Sequence, residues 1–147
     1  MRLRSRKNII GLIFLLVTAL YQIFYITPNA KELKKELIAM HQEINPIPGA
    51  SFLDEVSYMR NGGEVTRAYI TSATSQEIID HYDKEFRRNG WTYIESLEVQ
   101  NPETNEIRKV ARYTKNTHYK GNVGYPGESK TINTIRITFE FNNNKRY

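Results

Sequence analysis

The stretch TSQEIIDHYDKEFRRNGW, residues 74–91, decides the fold class. Thr74-Ser75-Gln76-Glu77 has the form of a capping box, in which the Thr hydroxyl and the Glu carboxylate each satisfy a backbone N–H orphaned at a helix start. Ile78, Ile79, Tyr82 and Phe86 then recur at helical spacing and form one apolar stripe. Arg87 and Arg88 suit the negative end of the helix dipole. Asn89-Gly90 supplies the stop, since glycine accepts the left-handed backbone that closes a helix. One amphipathic helix must bury its stripe against another element, and its neighbours on both sides read as strands.

Toward the N-terminus, Glu64–Thr71 reads as a strand with Val65, Tyr69 and Ile70 as its heavier residues. It is joined through Asn61-Gly62-Gly63, which contains the Asn-Gly pair of tight hairpins, to a strand over Phe52–Met59. Toward the C-terminus, Trp91–Val99 forms a third strand with Trp91, Tyr93, Leu97 and Val99 on one face. Asn101-Pro102-Glu103-Thr104-Asn105 turns the chain, and Ile107–Lys115 is a fourth strand. Asn116–Ser129 reads as a long polar loop. In the last strand Ile135, Ile137, Phe139 and Phe141 alternate with Arg136, Thr138 and Glu140, which marks a sheet covered on one face only. Asn142–Tyr147 reads as a frayed tail. The order is ββαβββ, and one helix packed on one face of an antiparallel sheet makes the domain α+β.

Upstream, KELKKELIAMHQEI predicts a linker helix over residues 31–45. Leu33, Leu37, Met40 and Ile44 are spaced four, three and four apart, a seam of under two heptads. Such a stripe lies on its own domain or, alternatively, pairs in a weak homodimer through the linker helix. Asn45-Pro46-Ile47-Pro48-Gly49 cannot continue a helix and marks the start of the compact domain, residues 46–147.

Residues 1–30 read as a basic tail and a membrane anchor. Ile9–Ile26 is 18 residues long and mostly apolar, and no charged residue occurs from Asn8 to Ala30. A helix crosses the hydrocarbon core with roughly 20 residues, and with as few as about 17. Tyr21 and Tyr25 stand toward one end, where aromatic rings favour the interface. Pro28 breaks this helix or opens the next one in its first turn. A cleaved signal peptide is the rival reading. Val17-Thr18-Ala19 is a weak small-x-small site, but the apolar run continues past it through Leu20, Ile23, Phe24 and Ile26. Arg2, Arg4, Arg6 and Lys7 precede the run, whereas Lys31, Lys34 and Lys35 beyond it are offset by Glu32 and Glu36. Basic flanks stay cytoplasmic, so the expected topology is single-pass, N-terminus inside and domain outside the cell membrane.

Charge and composition exclude several classes. Of 21 basic residues, those four precede the apolar run, leaving 17 against 16 acidic ones. A nucleic-acid binder needs a clustered basic footprint on its folded surface, so no nucleic-acid partner is expected. The 147 residues contain no cysteine, which removes disulfides, thiolate zinc sites, thiol catalysis and thiol lipidation.

His41, His81 and His118 share no metal-ligand spacing, and HExxH is absent. Asp80 and Asp83 stand one and two residues from His81, and such neighbours on a helix point apart from it. Gly121, Gly124 and Gly127 are spaced by three, but their segment leads into a strand, not into the helix that a phosphate cradle opens. No catalytic residue, metal site or cofactor is expected. The best candidate for ligand or partner binding is the Asn116–Ser129 loop, where His118, Tyr119, Lys120 and Tyr125 supply aromatic faces, donors and a cation.

Pro48-Gly49-Ala50, Glu77-Ile78-Ile79-Asp80-His81-Tyr82 and Gly90-Trp91 together resemble small membrane-tethered or lipoprotein-like bacterial α+β domains of unknown function. The likeness covers residues 46–95 and departs from lipoprotein members in lacking a lipidated cysteine. It implies a fold and a compartment, not a reaction. The expectation is therefore a non-enzymatic, membrane-anchored extracytoplasmic accessory or protein-interaction domain, with another envelope protein as partner. The alternative is a small-ligand or cell-wall-binding sensor domain.

Overall fold

A computed structural model describes residues 14–18, 20, 27–59, 63–100, 105–128 and 130–141. Most of the Ile9–Ile26 run, the Asn61-Gly62 turn, the Asn101–Thr104 turn and the Asn142–Tyr147 tail lie outside the described residues. The chain divides into two units, Met1–Leu33 and Lys34–Tyr147. In the first, residues 14–18 and 20 are helical, with Phe14, Leu15, Leu16 and Val17 more than half exposed. No helix among the described residues is long and apolar enough to cross a membrane.

The element order is α1 (Thr27–Glu43), β1 (Ser51–Tyr58), β2 (Glu64–Thr71), α2 (Ser75–Arg88), β3 (Thr92–Gln100), β4 (Ile107–Lys115), β5 (Tyr119–Pro126) and β6 (Asn133–Phe141). Six strands form one antiparallel sheet in the order β1-β2-β6-β5-β4-β3. The architecture is α+β, with six strands in place of the expected five. The additional strand is β5, which occupies most of the expected Asn116–Ser129 loop. It pairs with β4 from Lys115↔Tyr119 to Arg108↔Pro126 and with β6 from Tyr119↔Phe141 to Gly124↔Arg136. Its glycines, asparagine and proline are poor strand formers, but two flanking ladders satisfy its backbone on both sides.

The capping box of α2 forms as its sequence dictates. Thr74 Oγ1 accepts the Glu77 N–H at 3.3 Å, and the Glu77 carboxylate accepts the Thr74 N–H at 2.7 Å. Gly90 takes φ +79°, and Trp91 N–H returns to the Phe86 carbonyl at 3.0 Å to close the C-terminus. The helix carries the chain across the sheet from β2 to the far edge, and hairpins then return it to β6 beside β2.

Ile78, Tyr82 and Phe86 are fully buried against the sheet residues Ala111, Tyr113, Val123, Ile135, Ile137 and Phe139. Burying an Ile or Phe side chain stabilises the fold by about 1.5–3 kcal/mol. Phe86 stacks on Tyr113 at 4.3 Å and on Phe139 at 5.5 Å between ring centroids. The expected stripe is present except that Ile79 is only half-buried.

The C-terminal part of α1 shares this face of the sheet, because His41 packs edge-on against the same Phe139 at 4.6 Å. Leu37, Met40 and Ile44 of the linker seam are buried in the chain's own core, and Leu33 is half-buried. α2 also grips the segment leaving α1. Glu85 Oε2 accepts from Asn45 N at 3.1 Å, Asn45 Nδ2 at 3.0 Å and Arg88 at 2.9 Å. The Tyr82 hydroxyl accepts the Ile47 N–H at 3.3 Å, and burial pushes that hydroxyl up to about 12.

One expected face is corrected. Tyr93 pairs with Tyr113 on the helix side, but a register shift between Tyr93 and Glu95 follows. The extra residue of such a bulge turns the side chains beyond it to the other face. Leu97, opposite Val110, and Val99, opposite Arg108, therefore lie on the open face.

Candidate interaction surface

The uncovered face of the sheet is polar along its middle. Thr66 and Thr138 share a hydrogen bond at 2.8 Å, Asn122 donates to Glu140 at 3.1 Å, and Arg112 meets Glu95 at 3.0 Å. Apolar side chains gather instead at the two edge strands, β1 and β3.

β1 pairs with β2 alone, so its outer backbone groups face no strand. Ser51–Tyr58 carries Phe52, Leu53, Val56 and Tyr58 at 59, 54, 59 and 56 % exposure. The register Asp54↔Ala68, Val56↔Thr66, Tyr58↔Glu64 sets Asp54, Val56 and Tyr58 in one row on the open face. A bulge between Phe52 and Asp54 interrupts the strand, and the Asp54 carboxylate accepts the Glu55 N–H there at 2.7 Å. Glu55 points to the other face and is paired with Arg67 at 2.8 Å. Bulges and charges are the devices by which natural edge strands limit pairing. On β1 they protect one end and leave Glu55–Tyr58 regular.

The β3 edge is dressed more heavily. Glu95 and Glu98 bridge back to Arg112 and Lys109 at 3.0 and 3.7 Å, and the Arg87 guanidinium lies over the Tyr93 ring at 5.8 Å. Exposed Ile94 and Val99 stand among these charges.

The four residues expected to form a binding loop are distributed along a strand. His118 closes the β4–β5 turn, and its ring lies 6.2 Å from Phe141. Tyr119 opens β5, packs against Phe141 at 5.3 Å, and donates its hydroxyl to Glu36 of α1. Burial, then the Glu36 carboxylate, pushes that hydroxyl up to about 12. Lys120 points to the opposite face, beside Thr114 and Glu140. Tyr125 is buried on the helix side, six residues along the strand from Tyr119, a separation of roughly 20 Å. The fold thus brings His118 and Tyr119 together and keeps Lys120 and Tyr125 apart from them.

A cavity of about 360 Å³ lies at the Ile107–Pro126 end of the sheet, lined by Arg108, Lys130, Ile132 and Asn133 among others. Lys130 is ion-paired with Glu106 across it. Asn133, 1 % exposed, is fully engaged: its amide donates to the Ala73 and Lys130 carbonyls and its carbonyl accepts the Lys130 N–H.

His41 is buried and bonded through Nε2 to the Val65 carbonyl at 2.9 Å. Burial is the main force holding it down to about 4, with the Arg67 charge acting in the same direction. His81 meets the Asn45 carbonyl at 2.9 Å, and Asp83 holds Arg87 and the Tyr113 hydroxyl at 2.7 and 3.2 Å. Each histidine in the helices thus serves a structural bond. Among the described residues no group of three or more His, Asp or Glu is arranged to hold a metal ion.

Val56 and Tyr58 on the open face, with Phe52 against Tyr69 on the other face of the same edge, are the residues that sequence reasoning did not single out. One signal was present. Apolar residues at 52, 53, 56 and 58, interrupted by Asp54-Glu55, fit no period of two. Comparison with protein-family models, with curated proteins and with solved structures finds no match to this chain.

Proposed function

We propose that this chain is a membrane-anchored accessory domain that works by protein contact on the outer side of the cell membrane. The observation that carries the reading is β1, an edge strand with four large apolar side chains more than half exposed. Exposed apolar clusters rimmed by charge are characteristic of interaction sites. An edge strand adds backbone donors and acceptors that a partner chain can pair with. Support for the anchor comes from the Ile9–Ile26 run and from the exposed helical residues Phe14–Val17, which a bilayer would cover. Support for the orientation comes from Arg2, Arg4, Arg6 and Lys7 ahead of that run.

The test joins topology to contact. A reporter fused after Tyr147 should be membrane-bound and outside. A photo-crosslinking residue at Tyr58 should give protein adducts that the same residue at Thr138, mid-sheet, does not give. A cytoplasmic reporter would overturn the orientation, and equal adducts from the two positions would overturn the contact surface.

A second reading, a small-ligand sensor, draws on the cavity between Ile107 and Asn133, whose volume is within the range of ligand pockets. Loss of a ligand-dependent thermal shift in Arg108→Ala would favour it over the contact reading.

A further inference from the structure

We infer that the occupant of the β1 edge is a second copy of this chain, joined antiparallel with Val56 on the two-fold axis. The inference rests on the contact reading above and gives it a partner. Two copies of one edge strand extend a sheet only about an axis perpendicular to it. Each side chain then stays on its own face, and opposed residues must come from the same face. Along the regular part of β1, Asp54–Tyr58, this restricts the axis to pass through one of five residues, and an axis at Tyr58, the last residue of the strand, leaves no ladder.

An axis at Asp54 or at Glu55 sets a carboxylate directly against its own copy, which destabilises a strand pair. An axis at Ser57 leaves only Val56–Tyr58 of the strand to pair. The axis at Val56 pairs residues 54–58 and opposes no two charges of like sign. Val56 meets Val56, Tyr58 meets Asp54 of the second copy, and Glu55 meets Ser57 of the second copy. Glu55 brings its own counter-ion, Arg67 at 2.8 Å. The bulge between Phe52 and Asp54 ends the ladder where this register ends, so it limits the contact without blocking it. The product is one continuous sheet of two six-stranded halves, with Val56 and Tyr58 of both copies side by side on its open face.

A ladder this short is weak between freely diffusing molecules. Tethering both copies to one membrane raises their effective concentration and favours the pair.

The chain has no cysteine, so single-cysteine variants of the full-length protein in membranes report the register directly. Opposed Cα atoms in an antiparallel pair are about 4.5–5.5 Å apart, within disulfide reach. On mild oxidation Val56→Cys should form a dimer at least roughly tenfold faster than Glu98→Cys on the other edge, as the paired state raises the effective thiol concentration. Tagged Asp54→Cys mixed with untagged Tyr58→Cys should give the mixed dimer. Asp54→Cys alone should give little, its two copies being offset by four residues, roughly 13 Å.

Equal rates at positions 56 and 98, or self-dimers of Asp54→Cys as fast as the mixed ones, would overturn the pairing. If the cysteine pattern is flat while Tyr58 photo-adducts contain a different protein, self-pairing falls and the contact reading stands. If both are silent, both fall.

Discussion

An ideal Cβ on Gly121 would stand 2.5 Å from Cε1 of Phe86. The Phe86 ring cannot yield, because Tyr113 and Phe139 stack on it and Trp91 packs edge-on at 5.4 Å. The absence of a side chain in β5 is therefore what lets α2 seat on the sheet. Gly121→Ala should destabilise the fold by about 1–3 kcal/mol through overpacking. Gly124→Ala, whose nearest neighbour would be a carbonyl oxygen at 3.7 Å, should be tolerated much better. Urea denaturation of the two variants side by side checks this, and equal midpoints would refute it.

That contact also explains what the sequence could and could not reveal. α2 was legible because the capping box, the apolar stripe and the Asn89-Gly90 stop all act locally. β6 was legible because its alternation records one buried and one open face. β5 was not, since Gly121 answers to a helix 35 residues away and reads locally as flexibility. The faces of Leu97 and Val99 depended on a bulge that leaves no mark in the strand's own composition. Strand order, which makes β1 an edge, is a property of the whole sheet. Of the expected site, only the neighbours His118 and Tyr119 remain together; alternation in a strand sends Lys120 to the other face.

The β4–β5 turn carries strain that a substitution can relieve. Asn116 and Thr117 take φ +53° and +58°, and Thr117 is β-branched. The left-handed region costs such a residue roughly 1–2 kcal/mol. Thr117→Asn or Thr117→Gly should raise stability by about 1 kcal/mol, with Asn the better choice because Gly also loosens the unfolded chain. Thermal and urea melts of both variants would check it, and a loss of stability in both would show that the Thr117 side chain contributes more than its backbone strain removes.

Glu85 fastens the linker to the domain. Its carboxylate, 6 % exposed, holds the backbone and side chain of Asn45 together with Arg88. Glu85→Ala orphans the Asn45 N–H and should cost roughly 1.5–3 kcal/mol, as for hydrogen bonds to a charged group. Glu85→Gln keeps an acceptor and should cost less. Hydrogen exchange at Asn45 and Ile47 should accelerate in Glu85→Ala while the central strands β5 and β6 stay protected. Uniform acceleration across the sheet would argue that Glu85 supports global stability and not the linker in particular.

His41 should give the domain an acid-sensitive step. Its folded value is held to about 4, below the ordinary 6.5, chiefly by burial against Val65 and Phe139. The unfolded chain therefore binds a proton that the folded chain refuses between these values. Stability from this group is full above pH 6.5 and is lost as pH falls toward 4, by about 3 kcal/mol in all. The Glu77 cap carboxylate is held below its ordinary 4.5 by its bonds to Thr74, so its contribution is full above that value and is lost below it, which leaves the part of the window above pH 4.5 to His41. His41→Gln should flatten the stability profile between pH 6.5 and 4 while lowering its plateau. If the slope survives the substitution, a different group carries it, and the buried imidazole is not the source.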